Sequence, residues 1–125
     1  MKDSRPVFLN LLKVELPLAA LVSILHRISG VLLFFVAGLF LWILANSIQS
    51  EQSFHSIKQM FREPVYAVIL WISLSLVGYH FIAGIRHLLM DLHIGDSLRA
   101  GKVSALIALI LSILVSLLLA GWIWL

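Results

Sequence analysis

Residues 64–91 read PVYAVILWISLSLVGYHFIAGIRHLLMD, and from Pro64 to Ile85 they run for 22 positions without Asp, Glu, Lys or Arg. At about 1.5 Å of rise per residue, a helix of that length crosses roughly 30 Å of hydrocarbon. Two further stretches of the same kind flank it, Ile28 to Ser50 and Val103 to Leu125, each of 23 residues. The sequence therefore predicts an all-α integral membrane protein with three transmembrane helices, over about residues 17–46, 64–92 and 103–125. An interfacial segment over 1–16, charged but with apolar Val7, Phe8, Leu11 and Leu12, precedes them. On this reading residues 1–125 form a single membrane-anchor domain.

Composition points the same way. The chain is 62% hydrophobic and 12% charged, with a mean hydropathy of +1.07, well above that of a domain with a solvated face. The connections between spans are too short to build a core of their own, so any chemistry uses groups at or inside the bilayer. The absence of cysteine excludes an iron–sulfur cluster held by thiolates, a covalent C-x-x-C-H haem and a disulfide within the chain. A cofactor would be noncovalent and ligated by histidine. The pI near 9.7 does not indicate nucleic acid, because the basic residues sit beside the spans and form no separate domain. The first span is also read as retained: its apolar core is longer than that of a signal peptide and no small-residue cleavage site follows it.

Positive charge sets the orientation. Lys2, Arg5, Lys13 and Arg27 precede the first span, Lys58 and Arg62 follow it, and Arg86, Arg99 and Lys102 lie between the second and third. With three spans, seven of the nine fall on one side, so the positive-inside rule predicts a cytoplasmic N-terminus and an outside C-terminus. Trp122 and Trp124 then anchor the outer interface. The outer loop, 47–63, suits a short amphipathic helix around Phe54, Ile57, Met60 and Phe61, with His55 in solvent. Pro17 and Pro64 suit helix starts, and Gly95 to Gly101 interrupts the pattern before the third helix. That helix carries only Ser104, Ser112 and Ser116 among apolar residues, which predicts a packing role.

Two polar groups of residues intrude on the spans. His80, Gly84, His87 and Asp91 recur at i, i+4, i+7 and i+11 and share one helix face. An ionisable residue inside a span marks a functional-site candidate, since hydrocarbon offers it no partner. Gly84 leaves room for a planar macrocycle with His80 as axial ligand, while Arg86 and His87, roughly 9 to 11 Å along the helix, approach the headgroups where propionates would sit. The same spacing is met by a histidine that hydrogen-bonds a neighbouring helix above a solvated cap, with Gly84 serving plain helix packing. His26 is placed at the membrane boundary rather than at the depth of His80, so a second axial ligand would come from another chain.

In the first helix Ser23 and Arg27 are i, i+4 neighbours beside His26, and Ser29-Gly30 opens the apolar run. A hydroxyl and a guanidinium at a buried membrane edge can bond a carbonyl oxygen and favour the anion formed on its reduction, as a quinone requires. Arg27 snorkelling to lipid phosphate, with Ser23 bonded to its own helix, fits the spacing equally. With the orientation above, both groups lie on the cytoplasmic side.

Two signatures then carry a family resemblance. Arg5-Pro6 is followed by Leu11, Leu18 and Ser23-Ile24-Leu25-His26-Arg27-Ile28-Ser29-Gly30, and later by His80-x3-Gly84-Ile85-Arg86-His87-Leu88-x-Met90-Asp91. In these and in its three-span layout the chain resembles the cytochrome b membrane-anchor subunits of succinate dehydrogenase, the larger of two small anchors in complex II. The resemblance implies a non-flavin subunit of a succinate:quinone oxidoreductase in a bacterial inner membrane, linking the tricarboxylic acid cycle to electron transport. It implies a flavoprotein, an iron–sulfur subunit and a second small anchor as partners. It further implies that His80 ligates the iron of haem b, that the second anchor supplies the other histidine, and that Ser23 and Arg27 line the ubiquinone site. His26, Arg27 and His87 are implied as propionate neighbours. His93 departs from the family pattern, which usually has a small residue there. A quinol:fumarate reductase anchor and a non-redox structural membrane protein are the alternatives.

Overall fold

The computed structural model describes residues 16–125; the expected interfacial segment, Arg5-Pro6 and Leu11 lie outside the described residues, save Leu16. Four helices follow one another: α1 over Leu18–Ser47, α2 over Glu51–Met60, α3 over Pro64–Asp91 and α4 over Leu98–Trp124. Three of them, α1, α3 and α4, are long and apolar enough to cross a membrane. The helix α3 packs against both α1 and α4, and α1 also touches α4.

Local chemistry accounts for the boundaries. Pro17 is the N-cap of α1 in extended geometry, and its carbonyl accepts from the Leu21 amide. Ser50 caps α2 by accepting from the Ser53 amide at 3.0 Å, with Glu51 in the first turn and Lys58 in the last, as the helix dipole favours. This is the short helix expected in the loop. Pro64 occupies the start of α3, where its missing N–H costs nothing.

The last helix starts earlier than the charge pattern predicts, at Leu98 rather than near residue 103. Ser97 provides the reason: its hydroxyl accepts from the Ala100 amide at 3.2 Å, a cap that places Arg99 and Lys102 within the first turns. Only Gly95 of the two glycines has a positive φ, +71°, beside His93 at 58°. The turn between α3 and α4 is thus confined to a few residues, and Gly101 is a buried helical position.

Small side chains form the centre. Val22 of α1, Ala83 of α3 and Ala105 of α4 meet there, with Leu18, Ala19, Tyr79 and Leu109 around them. Small residues let helix backbones approach where lipid removes any hydrophobic drive to associate. A Cβ on Gly78 would lie 3.1 Å from Val115 Cγ1, so α3 and α4 are close at that level. Their seam carries hydrogen bonds as well: Trp71 Nε1 donates to the Ser116 carbonyl at 2.9 Å, and the Ser75 and Ser116 hydroxyls lie 2.9 Å apart. The outer faces are apolar and exposed, Phe34, Phe35, Phe81, Leu118 and Trp122 among them, as suits surfaces facing lipid or other subunits.

Candidate functional site

The α1–α3 contact is built from two glycines and three histidines. A Cβ on Gly30 would lie 3.2 Å from His80 Cε1, and a Cβ on Gly84 would lie 3.3 Å from His26 Nε2. Each helix therefore offers a glycine to the imidazole of the other, and the antiparallel register sets Gly30 opposite His80 and Gly84 opposite His26. The His26 and His80 rings stack with centroids 4.2 Å apart and planes 14° from parallel. His87 completes the group, its ring centroid 4.9 Å from that of His26.

This geometry corrects two expectations. His26 lies level with His80, where a different depth was expected, because the antiparallel register of α1 and α3 brings the two rings face to face. The space beside Gly84, expected to accept a macrocycle, is filled by the His26 ring. The two rings lie face to face, so their nitrogen lone pairs, which lie in the ring planes, do not point at one another, and a group bound by His80 would need any second histidine from elsewhere.

Ser29 holds His80 in place. It is 2% exposed, donates its hydroxyl proton to the His26 carbonyl at 2.7 Å and lies 2.8 Å from His80 Nδ1. No hydrogen bond reaches His80 Nε2 among the described residues. His87 Nε2 is buried and has no hydrogen-bond partner among the described residues, which marks it as a group awaiting a donor or acceptor from elsewhere. In the sequence Ser29 has a place at the start of the apolar run but no site role; the signal for one is Val22, His26 and Ser29 at i, i+4 and i+7, one face of α1.

Ser23 and Arg27 occupy the adjoining face of α1. Ser23 is half-buried and Arg27 exposed, and neither makes a hydrogen bond or ion pair among the described residues. Ser29, by contrast, is back-bonded to its own helix, as are Ser47, Ser104 and Ser112. The hydroxyl of Ser23 and the guanidinium of Arg27 thus keep their hydrogen-bonding capacity.

Arg86 does not join the histidines. It turns to α4, where Nε donates to the Ser104 hydroxyl at 3.0 Å and Nη2 to the Gly101 carbonyl at 3.2 Å, leaving the residue 6% exposed. Tyr79, one residue before His80, donates its hydroxyl to the Val22 carbonyl at 2.8 Å. These three bonds tie α3 to α4 and to α1. Asp91 is exposed at the end of α3, and His93 is paired on the surface with Asp96 at 3.2 Å.

Known proteins show the same chain outline. A family model described as succinate dehydrogenase/fumarate reductase transmembrane subunit matches residues 1–119. A Coxiella burnetii protein named succinate dehydrogenase cytochrome b556 subunit is 38% identical over 125 residues, covering 99% of this chain and all of the relative. Proteins of the same name from Rickettsia typhi and Paracoccus denitrificans are 32% identical over 94% of this chain and 91% of the relative, and 37% identical over 72% and 69%. With a match over nearly its whole length and three helices able to span a bilayer, the chain belongs to the succinate dehydrogenase/fumarate reductase transmembrane subunit family.

Proposed function

We propose that this chain is the cytochrome b anchor of a succinate dehydrogenase, holding haem b through His80 and contributing Ser23 and Arg27 to ubiquinone reduction. The observation that carries it is the state of His80: one ring nitrogen is engaged by buried Ser29, while Nε2 has no partner among the described residues. A haem needs an imidazole nitrogen with its lone pair available and polar groups at one rim for the propionates. The residues present fit that need. His80 supplies the nitrogen, and the unpartnered His87 Nε2, with His26 and Arg27, supplies polar groups toward the same helix ends.

With the His26 ring stacked on His80, a second histidine for the haem would come from another chain, for which a second small anchor is the candidate. When bound, the haem would accept and return single electrons. The names of the three curated relatives favour succinate oxidation over fumarate reduction. A flavoprotein would take two electrons and two protons from succinate, and an iron–sulfur subunit would pass the electrons to quinone at the membrane edge.

Arg27 would stabilise negative charge developing on one quinone oxygen, and Ser23 would donate a hydrogen bond to the ring carbonyl. Two protons from water or partner residues complete the quinol, since no carboxylic acid lies beside these two residues in the sequence. The exposed Arg27 guanidinium, without a partner among the described residues, supports this role, because an ionisable side chain carried by a spanning helix marks a functional-site candidate. The distribution of Lys and Arg supports a cytoplasmic N-terminus, which puts this end of the bundle on the side of a bacterial inner membrane where succinate is made.

A reduced-minus-oxidised spectrum of the complex copurified through this chain tests the reading. A b-type signal that is lost or altered in His80→Ala is expected. A wild-type complex with no such signal, or a His80 variant with unchanged haem content and spectrum, would overturn it.

A further inference from the structure

We propose that Ser29 is a positioning residue for His80: its oxygen accepts a hydrogen bond from Nδ1–H, fixing the imidazole as the tautomer whose lone pair sits on Nε2, the nitrogen presented to iron. The proposal rests on the reading of His80 as a haem ligand and deepens it.

The argument is a proton count. A serine hydroxyl has one proton and two acceptor sites, a carbonyl oxygen has none to give, and a neutral imidazole has one N–H and one lone pair. Two oxygens 2.7 Å apart, as Ser29 Oγ and the His26 carbonyl are, hold that separation only with a proton between them. The proton of Ser29 is thereby committed to the backbone. At 2.8 Å from His80 Nδ1, the serine oxygen can then only accept, so Nδ1 carries the hydrogen and Nε2 the lone pair.

Three residues of α1 fix the ring itself. The face of His80 lies on His26 at 4.2 Å between centroids, Cε1 sits over Gly30, and Nδ1 is held by Ser29. Nε2 is the remaining polar atom. At 2% exposure, Ser29 has no water to compete for its bond, and few polar groups are buried among the described residues: Ser29, Ser73 and Arg86. A metal-bound histidine commonly donates its other ring N–H to such an outer partner, which orients the ring and raises its basicity. More electron density on the ligand nitrogen favours ferric over ferrous iron, so the Ser29 bond lowers the haem potential.

The test uses the complete complex in detergent, purified with Ser29→Ala, Ser29→Thr and His80→Ala, and reads the haem midpoint potential, the low-spin EPR signal and haem retention against apomyoglobin. Ser29→Ala is expected to raise the potential, shift the EPR signal and weaken haem affinity by roughly 10-fold, the low end for loss of such a partner. Ser29→Thr, which keeps the hydroxyl and can make the same backbone bond, restores all three. Wild-type potential and EPR in Ser29→Ala, with the haem signal lost in His80→Ala, would overturn the role of Ser29 alone. The same shift in the Thr and Ala variants would overturn it too, by showing that side-chain shape and not the hydroxyl matters. A wild-type haem signal in His80→Ala would overturn the parent reading as well. Should Ser29→Ala not assemble, Ser29→Cys keeps the volume with a weaker acceptor and must move the potential upward by less; an unmoved potential there overturns the proposal.

Discussion

The imidazoles of His26 and His80 lie face to face, 4.2 Å between centroids, each standing over a glycine of the opposite helix. The contact is reciprocal: α1 and α3 exchange a ring for a hollow twice, at Gly30 and at Gly84. Close approach of the two helices and the setting of the histidines are therefore one feature. A side chain at either glycine would displace the ring it faces.

Gly30→Val and Gly84→Val should each destabilise the protein by about 1–3 kcal/mol, the usual cost of overpacking. Gly38→Val is the matched control, because nothing lies within 4 Å of a Cβ there. Thermal unfolding in detergent checks this, with the first two variants melting below wild type and the third close to it. Equal melting of all three would show that the hollows are not needed.

Arg86 ties α3 to α4 through Ser104 and the Gly101 carbonyl. Arg86→Ala removes both bonds to α4, leaves the Gly101 carbonyl only its bond from the Ser104 hydroxyl, and removes buried side-chain volume, so a loss of about 2–4 kcal/mol is expected. Ser104→Ala, which removes one of the bonds, should cost about 1 kcal/mol. A denaturation series ranks them; an Arg86→Ala variant as stable as Ser104→Ala would argue against the tie.

Arg27→Leu and Ser23→Ala should lower quinone reductase activity of the assembled complex, with the arginine variant losing more because it removes a charge. Succinate oxidation measured with an artificial acceptor should be spared in both. Loss of both activities together would mean failed assembly rather than a damaged quinone site.

Ser97 caps α4, and Ser97→Ala should cost about 1 kcal/mol. Hydrogen exchange should rise at residues 98–101 and not in the middle of α4. Unchanged protection of that first turn would show that the helix start does not depend on the cap.

The spans were legible because lipid requires a long run without charge, a property of the chain read in one dimension. Pro64 and the amphipathic pattern around Phe54 were legible for similar local reasons. The start of α4 was not, since Arg99 and Lys102 suggested a loop while Ser97 could cap a helix that carries them in its first turns. Of the candidate site, His80, His26 and His87 were visible as polar residues in or near apolar helices, and the structure gathers all three. Arg86 looked equally available, yet its side chain is committed to α4.

What the sequence determined by itself is the family, the three spanning helices and the small set of polar residues placed on them, because helix period and hydropathy act along one segment at a time. Only the tertiary structure decided which polar groups meet. The register between α1 and α3 puts Ser29 on His80 and His26 over Gly84, and register follows from how two surfaces fit, which no single helix contains.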